Sequence, residues 1–220
     1  MYTEITEVSR VKEIIKIITP LSHLSEEVII QKLVDSRALL EGHWILLSGK
    51  HSSVFLKFRL IAEKCNNGFL KQIAKELSSK FEKFDVNVVL GPETAATLLV
   101  DKISEELGAR PALAKAGENG RPSYSLRLNS EIKKRDNVLI VNDLTTTGKG
   151  LKRLVTLVQE KKAKVAGIGL FATRNKAVIE ELCSKIPNVH VLATLNVKDV
   201  DPPCDLCRKK VTPQYSVDHN

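Results

Sequence analysis

The residues from Val138 to Val141 are an uninterrupted run of valine, leucine and isoleucine, with no polar residue at alternate positions. Such a run predicts a strand that is buried on both faces, as strands in the middle of parallel sheets are. After Gly148, the segment KGLKRLVTLVQEKK carries its apolar residues at helical spacing. The intervening segment, Asn142 to Gly150, is therefore predicted to be a turn at the carboxyl end of a strand, where open α/β sheets bind ligands.

The same alternation of strand and helix continues on both sides of this turn. Strands are predicted at Val86–Leu90, Pro111–Lys115, Tyr124–Leu128, Val165–Thr173 and Val189–Leu195, and helices at Phe69–Phe84, Ala95–Leu107 and Lys176–Lys185. Strands and helices that alternate at these lengths predict an α/β fold with a mostly parallel, twisted sheet flanked by helices.

The first 62 residues have a different pattern. Apolar spacing predicts one helix over Val8–Ile18 and a second that Ser25 caps and that Gly42 ends. GHWILLSGKHSSVFLKFRLIA then alternates around a Ser-Gly turn, which predicts a hairpin-like hood. We expect a single domain over residues 1–220, with N-terminal helices and hood in 1–62, an α/β core in 63–197 and a polar tail in 198–220.

Composition narrows the function classes. Hydrophobic residues are 43% and charged residues 27% of the 220, an ordinary globular balance, and no apolar run approaches the roughly 18 residues of a membrane span. The N-terminal segment shows no apolar signal core, so a cytoplasmic protein is expected. The net charge of +8 favours surface lysine first, a phosphorylated ligand second and nucleic acid third, because aromatic residues are only 5%.

The cysteines and histidines suggest no metal site from their spacing. The four cysteines are too few and too scattered for a disulfide scaffold. Cys204 and Cys207 supply half of a tetrahedral zinc site, but no second Cys-x-x-Cys or histidine pair is visible. A local turn or unpaired thiols are therefore favoured over a site completed by a dimer, and His43 and His51 are interpreted as structural histidines.

The chemistry of the Asn142–Gly150 turn can be narrowed further. It is not a P-loop, because Asp143 stands where the first glycine would be, and it lacks the third glycine of a dinucleotide fingerprint. Asp143 can accept hydrogen bonds from vicinal sugar hydroxyls, and the three threonines that follow can surround a phosphate. A ribose 5-phosphate fits this spacing. The alternative is a threonine-rich turn that only caps the helix.

VLIVNDLTTTGKG resembles the ribose-phosphate motif of the type I phosphoribosyltransferases. Four further segments are similar to orotate phosphoribosyltransferases, in that family's order: EGHWILLSGKHSSVFLKF to the hood motif, VVLGPETAATL to the pyrophosphate turn, LFATRNK to the strand end that carries an arginine for orotate, and PPCDLC to the Cys-x-x-Cys tail of some bacterial and archaeal homologues. The resemblance covers Gly42 to Cys207.

The resemblance implies transfer of 5-phosphoribose from phosphoribosyl pyrophosphate to orotate, with Mg²⁺ bound mainly through the pyrophosphate, in a homodimer. It implies ribose and 5′-phosphate binding by Asn142, Asp143, Thr145, Thr146, Thr147, Gly148, Lys149 and Gly150. Pyrophosphate would be bound by Gly91, Pro92, Glu93 and Thr94, with charge from Lys115 and from Arg121 or Arg127. The base would contact Ser48, Gly49, Lys57, Thr146 and Arg174. Lys115 and Asp143 are the implied catalytic residues, in a site closed by the loop Ala116–Ser123.

Three function classes remain open from the sequence. Arg174 favours an orotate phosphoribosyltransferase or a transferase for another base. Asn142 in place of an acid, Glu93 in the pyrophosphate turn and a cation-poor loop favour a non-catalytic sensor of phosphoribosyl pyrophosphate or a nucleotide. Only net charge supports a nucleic-acid binder, which is the least favoured class.

Overall fold

The computed structural model describes residues 2–46, 48–65, 68–117 and 124–216. The strands are β1 (Thr3–Glu4), β2 (Ile15–Ile17), β3 (Leu39–Ile45), β4 (His51–Leu56), β5 (Val88–Pro92), β6 (Arg110–Ala116), β7 (Tyr124–Leu126), β8 (Asn137–Thr145), β9 (Lys164–Thr173), β10 (Val189–Leu195) and β11 (Gln214–Tyr215). The helices are α1 (Val8–Ile14), α2 (Glu26–Ser36), α3 (Arg59–Lys64), α4 (Gly68–Ser78), α5 (Thr97–Leu107), α6 (Lys149–Glu160), α7 (Lys176–Cys183) and α8 (Asp205–Arg208).

A seven-stranded sheet, in the order β2-β10-β9-β8-β5-β6-β7, forms the centre of the fold. The inner strands from β10 to β6 run parallel, and the edge strands β2 and β7 are antiparallel to their neighbours. This arrangement confirms the predicted α/β class. It also places the carboxyl ends of β5, β8 and β9 at one edge of the sheet, where a ligand can reach several loops at once.

Strand β8 is buried on both faces, as its sequence predicts. Leu139 and Val141 lie in the core under α4 and α5, whereas Val138 and Ile140 lie in the second core against α6, and all four are fully buried. Successive side chains of a strand point to opposite faces, so a strand between two helical layers must be apolar at every position. The polar residues that follow therefore mark the end of the buried part of the strand.

A second, smaller sheet forms the hood. β3 and β4 make the predicted antiparallel hairpin, β1 pairs with β3, and β11 from the C-terminal tail pairs parallel with β3. Earlier in the tail, Val200 forms an isolated bridge with His51. The polar C-terminal segment thus contributes backbone hydrogen bonds to the hood.

Three predicted helix ends were wrong. The helix predicted over Phe69–Phe84 ends at Ser78, and turns follow it up to Phe84. α1 ends at Ile14, and Ile15–Ile17 instead form a strand that pairs with β10, because the open edge of the central sheet offers backbone partners. α2 begins at the predicted cap, where the Ser25 hydroxyl accepts from the Val28 N–H at 3.3 Å, but it ends at Ser36. Gly42 lies within β3, since hairpin pairing overrides the helical propensity of that segment.

Among the described helices, none combines the length and the apolar character needed to cross a membrane.

Gly167 of β9 provides a test of how closely the main core is packed. A Cβ added there would lie 2.5 Å from the Asn188 carbonyl oxygen and 2.6 Å from Cε1 of the buried Phe81. We predict that Gly167→Ala lowers the free energy of unfolding by about 1–3 kcal/mol through overpacking. Urea denaturation followed by circular dichroism measures this change.

The matched control for that variant is Gly68→Ala at the start of α4, where an added Cβ meets no atom within 4 Å. Gly68→Ala should leave stability unchanged within about 0.5 kcal/mol or raise it slightly, because alanine favours helix. Equal effects of the two substitutions would contradict close packing around β9.

Candidate functional site

The turn between β8 and α6 forms the centre of the candidate site. Gly148 is the N-cap residue of α6 and has a φ of 69°, in the left-handed region that favours glycine. A Cβ added to Gly148 would lie 2.6 Å from Cγ1 of Val178, so space as well as conformation requires glycine. No N-cap side chain accepts from the first turn of α6. The first-turn N–H groups and the positive end of the helix dipole are therefore suited to an anion.

Asp143 lies near the end of β8, before the turn that leads into α6. Its carboxyl group is partly accessible but largely enclosed by protein, and burial raises its pKa to about 6, although the N–H groups of Leu144 and of Asp143 itself act in the opposite direction. A carboxyl group held at this pKa is destabilised in its charged form at neutral pH. Such perturbed groups are concentrated at functional sites.

Asn142 contributes an acceptor that the protein leaves unused. Its Nδ2 donates to the Leu144 carbonyl at 3.0 Å, which fixes the orientation of the amide. Its Oδ1 is buried and has no hydrogen-bond partner among the described residues. A buried acceptor without a partner costs free energy, and a ligand hydroxyl group is a donor that could satisfy it.

The three threonines of the turn differ in their positions. Thr145 is buried, and its carbonyl oxygen accepts from the Arg174 N–H at 2.9 Å, so this residue ties the turn to β9. Thr146 and Thr147 are partly exposed, as is Gly150, and Lys149 is exposed. The structure therefore places Thr146 and Thr147 where a ligand could contact them.

Tyr124 of β7 is a candidate site residue that the sequence alone did not indicate. A Cβ added to Gly150 would lie 3.5 Å from the Tyr124 hydroxyl oxygen, so this hydroxyl lies beside the start of α6. Burial raises the pKa of Tyr124, and the charge of Arg153 acts in the opposite direction. In the sequence, Tyr124 is distinguished only by its place directly after the polar loop. The sequence does not show which helix an edge strand contacts, so it could not place Tyr124 beside α6.

The predicted pyrophosphate turn does not present the expected N–H groups. The Glu93 N–H donates to the Ala114 carbonyl at 2.9 Å, the Thr94 N–H donates to the Pro92 carbonyl at 2.8 Å, and proline has no N–H. Gly91 lies within β5, where an added Cβ would be 2.5 Å from Cγ2 of Val100. The role of Gly91, Pro92, Glu93 and Thr94 in pyrophosphate binding stays a prediction. In this structure strand pairing and a tight turn already use the N–H groups of Glu93 and Thr94.

Charged side chains surround this turn instead. Nε of Arg127 lies 3.2 Å from a carboxylate oxygen of Glu93, and both side chains are substantially exposed. These two residues, with Thr94, Arg59 and Glu63, line an open cleft of about 480 Å³. Arg127 is therefore close to the turn, as predicted, but its charge is shared with an acid.

Arg174 occupies a different environment from the predicted one. Its side chain is only 1% exposed, and one terminal nitrogen donates to Asp199 at 2.9 Å and to the Ser52 hydroxyl at 3.0 Å. The other terminal nitrogen donates to the Val54 carbonyl at 2.7 Å. The contact with an acceptor carboxylate therefore stays a prediction, and in this conformation a carboxylate of the protein's own tail holds the guanidinium.

The remaining predicted residues lie around the edge of this region. Ser48 and Gly49 form the exposed hairpin turn between β3 and β4, where Gly49 has a φ of 80°. Lys57 is partly buried just after β4, and the exposed Lys115 lies in β6 opposite Ser125. Arg121, with most of the predicted closing loop, lies outside the described residues.

A separate cluster was missed from the sequence. The two histidines interpreted as structural, His43 and His51, lie beside Cys204 and Cys207 in the structure. Their sequence separation hid the grouping, because a histidine pair formed across a hairpin has no fixed spacing.

With this geometry described, the chain can be compared with known proteins. Residues 63–200 match the family model described as phosphoribosyl transferase domain. The chain belongs to the phosphoribosyltransferase family. That membership confirms the resemblance carried by VLIVNDLTTTGKG, which is the β8–α6 turn.

Individual phosphoribosyltransferases extend this result. The chain is 31% identical to the orotate phosphoribosyltransferase of Thermotoga maritima, over 79% of this chain and 89% of that protein. It is 29% identical to the orotate phosphoribosyltransferase of Caldicellulosiruptor saccharolyticus, over 84% and 92% of the two chains. The solved orotate phosphoribosyltransferase of Aeropyrum pernix shares the fold, with a TM-score of 0.58 at 18% identity over 74% of this chain and 89% of that one.

The raised pKa of Asp143 predicts a pH-dependent stability difference in this phosphoribosyltransferase. The Asp143 carboxyl has a pKa of about 6 in the folded protein and an ordinary value of 3.8. Its contribution to the free energy of unfolding is therefore fully present below about pH 4 and is lost as the pH rises through 6. Relative to Asp143→Asn, the parent should therefore lose roughly 2–3 kcal/mol between pH 4 and pH 7. Denaturant unfolding at several pH values measures the difference.

Glu181 supplies a control of opposite sign. Hydrogen bonds from Lys152 and then Lys185 lower its pKa to about 2, so its contribution is present above about pH 4.5 and is lost as pH falls. Glu181→Gln should therefore approach the parent in stability at low pH. A pH-independent difference for Asp143→Asn, measured beside this control, would show that the carboxyl group is not perturbed.

The environment of Arg174 predicts a second effect on stability. Arg174→Ala leaves the buried Asp199 carboxylate without its cation and should cost about 3–5 kcal/mol. Arg37→Ala is the matched control, because Arg37 pairs with Glu4 at the surface and should contribute less than about 1 kcal/mol. Similar losses in the two variants, measured by denaturant unfolding, would contradict a structural ion pair at Arg174.

Proposed function

We propose that the chain is an orotate phosphoribosyltransferase, which transfers 5-phosphoribose from phosphoribosyl pyrophosphate to a ring nitrogen of orotate and releases pyrophosphate. The relatives compared above are orotate phosphoribosyltransferases by name. The observation that carries the proposal is the β8–α6 turn, where an uncapped helix start follows the strand end that carries Asn142 and Asp143. We propose that the protein acts in the cytoplasm as a homodimer.

The turn supports separate binding of ribose and phosphate. Asn142 Oδ1 and the Asp143 carboxylate are acceptors that suit the vicinal hydroxyls of ribose. The first-turn N–H groups of α6 and the hydroxyls of Thr146 and Thr147 are donors that suit the 5′-phosphate. Tyr124 adds a hydroxyl beside Gly150. The two sets of groups lie a few residues apart, as in a ribose 5-phosphate.

Charge at the turn would favour the displacement. As the bond to pyrophosphate breaks, positive charge develops on the ribose ring, and a nearby carboxylate stabilises it electrostatically. Asp143 supplies that carboxylate when it is ionised, above about pH 6. Ligand hydroxyls that donate to the carboxylate favour its charged form and lower its pKa.

Asn142 and Asp143 could supply only part of the coordination of a Mg²⁺ ion. The buried Asn142 oxygen without a partner and the Asp143 carboxylate are oxygen ligands of the kind that Mg²⁺ prefers, but two such groups need further oxygens from a substrate. Bound mainly through the substrate's pyrophosphate, Mg²⁺ would neutralise charge on the leaving group.

Cations of the protein would complete the pyrophosphate side. The exposed pair between Arg127 and Glu93 contributes little stability, so Arg127 can exchange its partner for a pyrophosphate oxygen at small cost. Arg59 lines the same cleft. Lys115 and, in the closing loop, Arg121 are the further cations that we propose for the leaving group.

A second candidate function rests on the position of Arg174. With its guanidinium held by Asp199, Ser52 and Val54, an orotate carboxylate could reach it only by displacing the tail. The N–H groups of Glu93 and Thr94 already donate to backbone carbonyls, so they are not available to pyrophosphate in this conformation. Both observations favour a regulatory protein that binds phosphoribosyl pyrophosphate without transferring it.

Binding to the turn can be tested first. Thr147→Ala should weaken phosphoribosyl pyrophosphate binding with Mg²⁺ about 10–100-fold, the effect of losing one hydrogen bond to a charged group. Isothermal titration calorimetry measures the dissociation constant. Thr156→Ala is the matched control, because Thr156 is in the exposed middle of α6 and its hydroxyl donates to the Lys152 carbonyl. Equal binding by the two variants would remove the turn from the site.

Turnover then separates the two candidate functions. Pyrophosphate release is measured with orotate, adenine and uracil, each with phosphoribosyl pyrophosphate and Mg²⁺. Release with orotate alone supports the transferase, and equal release with adenine or uracil overturns the choice of orotate. Tight binding in calorimetry without release for any base would establish the regulatory alternative.

A further inference from the structure

The fold brings four metal-ligating side chains from two distant segments together. His43 lies in β3 and His51 begins β4, so the hairpin places their rings with centroids 4.9 Å apart. Cys204 is the N-cap residue of α8, in the C-terminal tail, and Cys207 lies within α8. The four ligand atoms all lie within 4.8 Å of one another, and this is a cluster that neither segment could form alone.

Four of the six separations between these atoms match the edges of a tetrahedron around zinc to within about 0.3 Å. With Zn–S near 2.3 Å and Zn–N near 2.0–2.1 Å, tetrahedral angles give about 3.8 Å between sulfurs, about 3.6 Å between sulfur and nitrogen, and about 3.3 Å between nitrogens. In the structure, the two Sγ atoms are 3.7 Å apart. His43 Nε2 lies 3.5 Å from Cys204 Sγ and 3.6 Å from Cys207 Sγ, and Cys207 Sγ lies 3.3 Å from His51 Nδ1.

Of the other two separations, that of the nitrogen pair is about 0.5 Å shorter than this geometry, with His43 Nε2 2.8 Å from His51 Nδ1. Cys204 Sγ and the His51 ligand atom lie within the 4.8 Å that spans the cluster. That pair could instead be a hydrogen bond between the rings, and this is the main competing interpretation. A hydrogen bond accounts for two of the four atoms, however, and leaves the convergence of both sulfurs on the same point unexplained. A disulfide is also excluded, because its sulfurs would be about 2.05 Å apart.

The surroundings suit a closed metal site. His43, His51 and Cys204 are buried, and Cys207 is partly buried. His43 Nδ1 lies 2.7 Å from the Val211 carbonyl oxygen, so it carries the proton and leaves Nε2 as the ligand atom. A carbonyl that fixes the tautomer in this way is the usual partner of a metal-bound histidine.

We propose that His43, His51, Cys204 and Cys207 bind one structural Zn²⁺ ion that fastens the C-terminal tail to the hood. Two thiolates and two imidazoles in tetrahedral arrangement favour zinc over the oxygen-seeking ions Mg²⁺ and Ca²⁺. Four protein ligands leave no open position for a substrate, so the ion has a structural role.

The site would stabilise contacts that extend to the central sheet. His51 and Val200 exchange backbone hydrogen bonds of 2.7 and 2.9 Å, and the preceding residue in the tail, Asp199, is the partner of Arg174 at the end of β9. Fastening Cys204 and Cys207 to the hairpin therefore holds the tail where Asp199 meets Arg174. This role does not depend on which base the protein uses.

The first experiment measures metal in the purified full-length protein by inductively coupled plasma mass spectrometry. We expect about one zinc per chain in the parent, loss of that zinc in Cys204→Ser/Cys207→Ser, and retention in Cys183→Ser, which removes an exposed cysteine elsewhere. His43→Ala should also lose the zinc, whereas the matched control His23→Ala, at an exposed histidine, should retain it. Zinc that stays stoichiometric in the double cysteine variant would overturn the site.

A second experiment uses only the parent, so it is informative even if the variants fail to fold. Protein stripped with a chelator is titrated with Co²⁺, which should give visible absorption typical of tetrahedral coordination and a thiolate-to-cobalt charge-transfer band. N-ethylmaleimide labelling, mapped by mass spectrometry, should modify Cys204 and Cys207 only after the metal is removed, while Cys183 reacts in both states. No cobalt spectrum, or labelling of Cys204 and Cys207 that ignores the metal, would overturn the proposal.

Discussion

The parallel pairing of β8 with β5 on one side and β9 on the other is the constraint on which the rest of the structure depends. Because β8 has helices on both faces, its four central side chains are fully buried, and its register is fixed by two cores at once. The strand then has to end in polar residues where the helical layers stop. That end runs from Asn142 to Thr145, which still pair with β9, so the turn predicted from Asn142 is shorter and covers only Thr146 to Gly148. Its position in space follows from the sheet.

The turn contains groups that the folded protein alone does not satisfy. Asn142 Oδ1 has no partner among the described residues, the pKa of Asp143 is raised by burial, and Gly148 is held in the left-handed region against Val178. The first two features reduce stability, and the packed cores on either side of β8 supply the rigidity that maintains them. The hydroxyls of a ligand can donate to Asn142 Oδ1 and to the Asp143 carboxylate. Its phosphate can supply the negative charge that the start of α6 favours.

The tail and the hood form a second region in which distant segments depend on each other. Arg174 joins the end of β9 to Ser52 and Val54 in β4 and to Asp199 in the tail, while β11 pairs with β3. The cluster of His43, His51, Cys204 and Cys207 also joins the hood to the tail. An arginine beside the proposed site is thereby held by the protein's own carboxylate, which links the position of the tail to access for an anionic acceptor.

The amino-acid sequence by itself determined the α/β class, most strand and helix positions and the turn at the end of β8, because these depend on local periodicity and on glycine. It also determined the family, through motifs that lie within short segments. It did not determine the ends of α1 and α2, because pairing with β10 and with β4 overrides helical propensity there.

Only the tertiary structure decided which groups are already engaged and which distant residues meet. Three contacts join residues that are far apart in the chain: the ion pair of Arg174 with Asp199, the bond from the Glu93 N–H to the Ala114 carbonyl, and the grouping of His43 and His51 with Cys204 and Cys207. Periodicity carries information about neighbours on one strand or helix, whereas these contacts depend on how the hairpin, the tail and the sheet pack together. That packing has no signature in residue spacing, so it becomes visible only in the folded chain.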